Sequence, residues 1–118
     1  MKIRWLDEPE DHDYPAAREY LRLTMPDSMA DSIVRKLRNE VMTQFKAKDI
    51  FRASGLPLLG VSNDHVDRNI DKIRAGKPLS PVLLVQDRGK LIVADGYHRI
   101  CAVYTFDEDA YIPCKITP

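Results

Sequence analysis

The sequence predicts an α+β fold, a small mixed β-sheet with helices packed against it, from a change of hydrophobic period along the chain. The first half is mostly helical in pattern, with stripes such as Met29, Ala30, Ile33, Val34 and Leu37. A further helical stripe follows at Val66, Ile70 and Ile73, spaced i, i+4 and i+7. The period then shortens to the apolar runs Val82-Leu83-Leu84-Val85 and Leu91-Ile92-Val93-Ala94, two strands joined by the turn Asp87-Arg88-Gly89-Lys90. Helices first and strands later is the element order of an α+β protein with a modest sheet.

Taken in order, Met1-Lys2-Ile3-Arg4-Trp5-Leu6 alternates through Ile3 and Trp5, as a short strand or an extended arm. Residues 7–13 are acidic and contain Pro9, which makes a loop. Asp13 is then expected to cap a helix with Pro15 in its first turn and Ala16, Ala17, Tyr20, Leu21 and Thr24 on one face. Pro26 and Asp27-Ser28 punctuate and cap a second helix running to about Glu40, with Arg35, Lys36 and Arg38 directed to solvent. Phe45-Lys46-Ala47-Lys48 alternates as a strand, residues 49–53 make a helical turn stopped by Gly55, and residues 56–61 form an apolar loop. Ser62 caps the third helix, which Gly76 closes. After the hairpin a helix is expected from about Tyr97 to Tyr104. Tyr111-Ile112-Pro113-Cys114-Lys115-Ile116 makes a last strand.

A chain of 118 residues holds one domain with a single core. Lys+Arg and Asp+Glu both number 18, so no overall field draws the protein onto DNA or an acidic membrane, and nucleic acid is disfavoured as a partner. No apolar run approaches a membrane span and the opening segment is too short for a signal sequence, so the expected location is cytoplasmic. Cys101 and Cys114 have neither a disulfide framework nor a metal-ligand spacing. Both sit in apolar sequence and read as buried, inert thiols.

The candidate chemistry concentrates in Asp95-Gly96-Tyr97-His98-Arg99, a turn between a buried strand and a helix. Unpaired N–H groups at a helix start attract anions, and the helix dipole adds to the attraction. Gly96 lets the backbone turn and a ligand approach. Arg99 can grip a phosphate through two hydrogen bonds, and His98 can donate or shuttle a proton. Asp95 would repel phosphate by itself, so it either caps the helix or takes a metal that bridges to the phosphates.

From about Phe45 to Ile116 the chain resembles the ParB/sulfiredoxin-like superfamily, nearest in motif to its D-G-x-H-R members. The residues that carry the likeness are Lys48-Asp49-Ile50, the stripe Val66, Ile70 and Ile73, and the run Gly76-Lys77-Pro78-Leu79-Ser80-Pro81-Val82-Leu83-Leu84-Val85. It continues through Leu91-Ile92-Val93-Ala94-Asp95-Gly96-Tyr97-His98-Arg99 to the strand around Ile112-Pro113-Cys114-Lys115-Ile116. The resemblance implies a core over residues 45–118, with residues 1–44 as an N-terminal helical extension. It also implies that the turn holds nucleotide phosphates, usually with Mg²⁺, through Gly96, Tyr97, His98 and Arg99, with Lys77 and Ser80 near the same pocket and Asp95 at the metal. Members of the superfamily include CTP-binding partition proteins, ATP-dependent sulfinic acid reductases, kinases of free serine and proteins described as nucleases. Tyr97 stands where sulfiredoxins carry their catalytic cysteine, so sulfinic acid reduction is not expected. No helix-turn-helix region follows before Pro118, so partition-type DNA binding is not expected either.

In the kinase-like branch a catalytic carboxylate comes from an earlier segment, and Asp49, beside Lys46, Lys48 and Arg52, is the candidate for it or for a second metal contact. A plain helix cap is the alternative for Asp49. Ser62-Asn63-Asp64-His65 spells an N-terminal cap and leaves His65 as a further site candidate, whereas His12 reads as surface. Trp5, Phe51 and Tyr97 are aromatics for stacking on a base or for the core. The resulting expectation is a cytoplasmic nucleotide-binding protein that uses Mg²⁺ with ATP or CTP, and hydrolyses the nucleotide or transfers its phosphate to a small acceptor. His98 and Asp49 are the expected catalytic residues. The alternative is a non-enzymatic module whose bound nucleotide regulates a protein partner, with the N-terminal helices docking that partner or a second copy. A nuclease is third, disfavoured by the neutral charge and the lack of a carboxylate cluster for two metals.

Overall fold

The hairpin organises the sheet. In the computed structural model, which describes residues 2–118, β2 (Val82–Asp87) and β3 (Lys90–Asp95) pair antiparallel. Arg88 and Gly89 at the turn take φ of 50° and 79°, the left-handed pair that a tight two-residue hairpin requires. β4 (Tyr111–Thr117) lies parallel to β2 on its other side, and β1 (Thr43–Lys46) pairs antiparallel with β4. The strand order is β1-β4-β2-β3 in one four-stranded mixed sheet.

Helices cover both faces of this sheet, and the described residues form an α+β domain of five helices and four strands. Val82 and Leu84 of β2 face α3 (Ala47–Ser54), α4 (Asp64–Arg74) and α5 (Tyr97–Phe106), in a core with Ile50, Val66, Ile70, Ile73 and Ile100. Leu83, Val85 and Ala94 face the opposite way, onto Tyr14, Ala17 and Leu21 of α1 (Asp13–Leu21) and Ala30, Val34 and Leu37 of α2 (Asp27–Asn39). A strand buried on both faces reads as an unbroken apolar run, which is why residues 82–85 are legible as one. The segment 1–44 thus supplies α1 and α2 as a layer of the fold, their apolar stripes packed on the sheet. Among the described residues no helix is long and apolar enough to cross a membrane.

Several boundaries differ from the sequence expectations. The arm around Trp5 makes a single parallel bridge to Leu79 rather than a strand. Asp13 is the first residue of α1, not its side-chain cap, and is buried. The buried face of α1 starts from Tyr14, leaving Ala16 and Tyr20 exposed and Thr24 beyond the helix end. Arg38 is exposed as expected, and its guanidinium also lies 4.3 Å from the centre of the Tyr14 ring. Met29 lies outside the buried stripe of α2. Ala47 and Lys48 open α3 instead of extending β1, because their N–H groups turn to the carbonyls of Ala110 and Glu108.

Asn63, not Ser62, caps α4: its Oδ1 accepts from the N–H groups of His65 at 3.0 Å and Val66 at 3.2 Å. Asn63→Ala is therefore expected to cost about 1 kcal/mol, a fall of roughly 4 °C in melting temperature, while Ser62→Ala leaves it unchanged. Thermal denaturation of the two variants side by side checks this. Cys101 and Cys114 are free and buried. Burial pushes both thiols up, Cys114 to about 12, which leaves them protonated and poorly nucleophilic.

Candidate functional site

The passage from β3 into α5 is made at Gly96, whose φ of 108° only glycine adopts without strain. Space imposes the same choice: a Cβ there would fall on the Val82 side chain, 2.8 Å from its Cβ, and 2.9 Å from Arg99 Nη2. The first intrahelical bond of α5 runs from Ile100 N to the Gly96 carbonyl at 3.0 Å. The N–H groups of Tyr97, His98 and Arg99 precede it and so have no helical partner. No side chain caps this end and no acidic residue stands in its first turn.

That helix start opens onto a cleft of about 330 Å³. Its other walls are the segment through Glu10 and His12 into the start of α1, the polar face of α4, and the stretch from Pro78 to Ser80. His65, Asn69 and Lys72 line it from α4 at i, i+4 and i+7, a polar stripe beside the buried one.

Arg99 is the centre of a polar network. Its Nη2 donates to Asp95 Oδ2 at 2.6 Å and its Nη1 to Asp13 Oδ2 at 3.4 Å. The Ser80 hydroxyl also donates to Asp13 Oδ2, and accepts from the N–H of Glu10 at 3.0 Å. The side chains of Arg99, Asp13 and Asp95 are only 14%, 5% and 19% exposed, so the three charges sit in a poorly solvated wall. Burial raises the Asp95 carboxyl above the ordinary carboxylate range, against the pull of Arg99, and neighbouring Asp13 raises it further.

Beside the network lie the histidines. His12 Nε2 is 2.9 Å from Glu10 Oε2 and 3.3 Å from Asp13 Oδ1. The potential ligand atoms of Glu10, His12 and Asp13 all lie within 4.8 Å of one another. The rings of His65 and His98 are in contact, with centroids 4.8 Å apart. Desolvation, with His65 adding a smaller push, lowers the His98 pKa below the usual imidazole value, so His98 is neutral at pH 7. The Tyr97 hydroxyl leaves the cleft to donate to the Pro57 carbonyl, which ties α5 to the loop before α4.

The structure thus brings together Asp95, Gly96, Tyr97, His98, Arg99 and Ser80 in one cleft. It does not bring Lys77, which is exposed and not among the lining residues. The lysine of the cleft is Lys72, two helical turns from His65 on the same face of α4. Nor does it bring Asp49, which pairs with Arg52 at 2.7 Å and lines a separate cavity with Gln86 and Lys90. That cavity lies at the turn end of the hairpin, whereas Gly96 lies at its other end, about 17 Å away for strands of this length. Glu10, His12 and Asp13 are not legible in the sequence as site residues, and Glu10 and Asp13 join Asp95 as the three carboxylates lining the cleft. No family model, curated protein or solved structure matches the chain. The functional reading therefore rests on the cleft itself.

Proposed function

We propose that the cleft binds the phosphates of a nucleoside triphosphate together with Mg²⁺, and that it supports hydrolysis or phosphoryl transfer to a small acceptor. The observation that supports this most is the open first turn of α5, whose free N–H groups face a polar cleft behind a glycine that nothing larger can replace. The order of elements around it, α4, hairpin, D-G-Y-H-R turn, α5 and β4, supports the resemblance to ParB/sulfiredoxin-like proteins. The proposed setting is the cytoplasm.

Charge decides what must accompany the phosphates. The cleft holds three carboxylates, Glu10, Asp13 and Asp95, against two fixed cations, Lys72 and Arg99. A polyanion entering alone would meet a negative balance, so a divalent cation is needed. The oxygens of Asp13, Asp95 and Glu10 suit a hard ion such as Mg²⁺, which when bound neutralises charge on the phosphoryl oxygens. The metal set proposed here is therefore wider than Asp95. Arg99 is positioned by its two carboxylates, with N–H groups left over for a phosphate. His98 lines the cleft as a donor to phosphate or a shuttle for a proton, and phosphoryl transfer asks for little more than positioning and neutralisation. A nucleotide-regulated docking module finds less support, because the apolar stripes of α1 and α2 are packed on the sheet.

A thermal-shift panel of ATP and CTP, with and without Mg²⁺, tests the proposal. A nucleotide at about a hundred times its Kd adds about 2.7 kcal/mol, or roughly 10 °C for this chain length, and the shift should need Mg²⁺. No shift with any nucleotide in Mg²⁺ would remove the proposal, and turnover of the bound nucleotide would separate an enzyme from a regulated module.

A further inference from the structure

We infer that His65 and His98 form a paired-imidazole clamp on the phosphoryl group in the cleft, and that the pair takes up a proton as the anion binds. The inference rests on the reading of the cleft as a phosphate site. It goes further by naming a second binding histidine and a proton that travels with the ligand.

The two rings come from the first turns of different helices, α4 and α5, and meet at 4.8 Å with a tilt of 38°. Both line the cleft, which holds all three histidines of the chain. His12 is engaged by Glu10 and Asp13. The imidazoles of His65 and His98 make no hydrogen bond among the described residues, so their ring nitrogens are free for a ligand. Two imidazoliums at that separation repel, and with desolvation this lowers the His98 value in the empty cleft. A phosphoryl group beside them favours a proton on the pair, since an imidazolium facing an anion donates to it.

The groups around the pair decide whether this can happen. From α5 it is flanked by Tyr97 and Arg99, and from α4 by Lys72. Asp95 stands at the end of β3, and Glu10, His12 and Asp13 on the opposite wall. Arg99 is already matched by Asp95 and Asp13. Lys72 lines the cleft from α4 and has no ion pair among the described residues, and Asp64 and Arg68 flank His65 on the same helix. A phosphate held there lies within the same cleft as both imidazoles and Lys72.

The titrations of all three imidazoles, followed by NMR with and without inorganic triphosphate and Mg²⁺, test this. Binding should raise the midpoints of His65 and His98 by about one pH unit and move His12 less. The affinity of the wild type should then be about tenfold higher at pH 6 than at pH 8, with the difference much reduced in His65→Gln. Perturbed Gly96 and Arg99 amides with unmoved His65 and His98 midpoints would overturn the clamp and leave the phosphate site standing. No perturbation of any cleft resonance would overturn both.

Discussion

Arg99→Ala is expected to lower the melting temperature by roughly 12–20 °C. Among the described residues the guanidinium is the one fixed cation bonded to Asp13 and Asp95, and its removal leaves two carboxylates in a wall with little water. Breaking a buried pair by removing one partner costs about 3–5 kcal/mol, and a domain of this length loses roughly 4 °C per kcal/mol. The deficit should shrink at acid pH. Asp95 already has a folded-state value above its ordinary one, so its protonation favours the fold. That contribution is present at low pH and is lost as pH rises through the folded value. Without Arg99 the carboxyl rises further and the variant recovers earliest on acidification. Thermal melts of wild type and variant between pH 4 and 8 measure this, and a deficit independent of pH would contradict the assignment of charge to the network.

Gly96→Ala is the second large effect, at about 2–5 kcal/mol. Two costs combine: about 1–2 kcal/mol for a side chain at positive φ, and about 1–3 kcal/mol for forcing a methyl group against buried Val82 and the Arg99 guanidinium. Gly89→Ala is the matched control. It shares the positive φ, at 79°, but its Cβ would meet nothing within 4 Å, so only the first cost applies. Equal losses in the two variants, read from chemical denaturation, would show that backbone conformation alone fixes Gly96.

The parts of the fold legible in the sequence are those written locally. Residues 82–85 are apolar without a break because β2 is covered on both faces, and Val66, Ile70 and Ile73 show their period because one face of α4 is buried. Gly96 was legible because a strand, a glycine and a helix follow one another within a few residues. Asp13 was not, because its partners Ser80 and Arg99 are 67 and 86 positions away, and only the packing of α1 beside β3 brings them together. Asp49 lies outside the cleft for the converse reason. A carboxylate among lysines and arginines reads the same at either end of a sheet, and the direction of the hairpin puts it at the wrong one. Lys77 and Lys72 differ in the same way, since only the pitch of α4, shared with His65 and Asn69, turns Lys72 into the cleft.

The proposal that this cleft holds nucleotide phosphates is tested most directly by titration calorimetry with ATP and CTP in Mg²⁺, on the wild type and on Lys72→Ala. Lys72 is exposed and has no ion pair among the described residues, so its loss should leave the fold intact, as Arg99→Ala would not. The expected result is one site per chain for at least one nucleotide, dependent on Mg²⁺ and weakened about tenfold in Lys72→Ala, the loss of one charge-assisted hydrogen bond. No binding of either nucleotide to the wild type in Mg²⁺, or identical affinity in a well-folded Lys72→Ala, would contradict it.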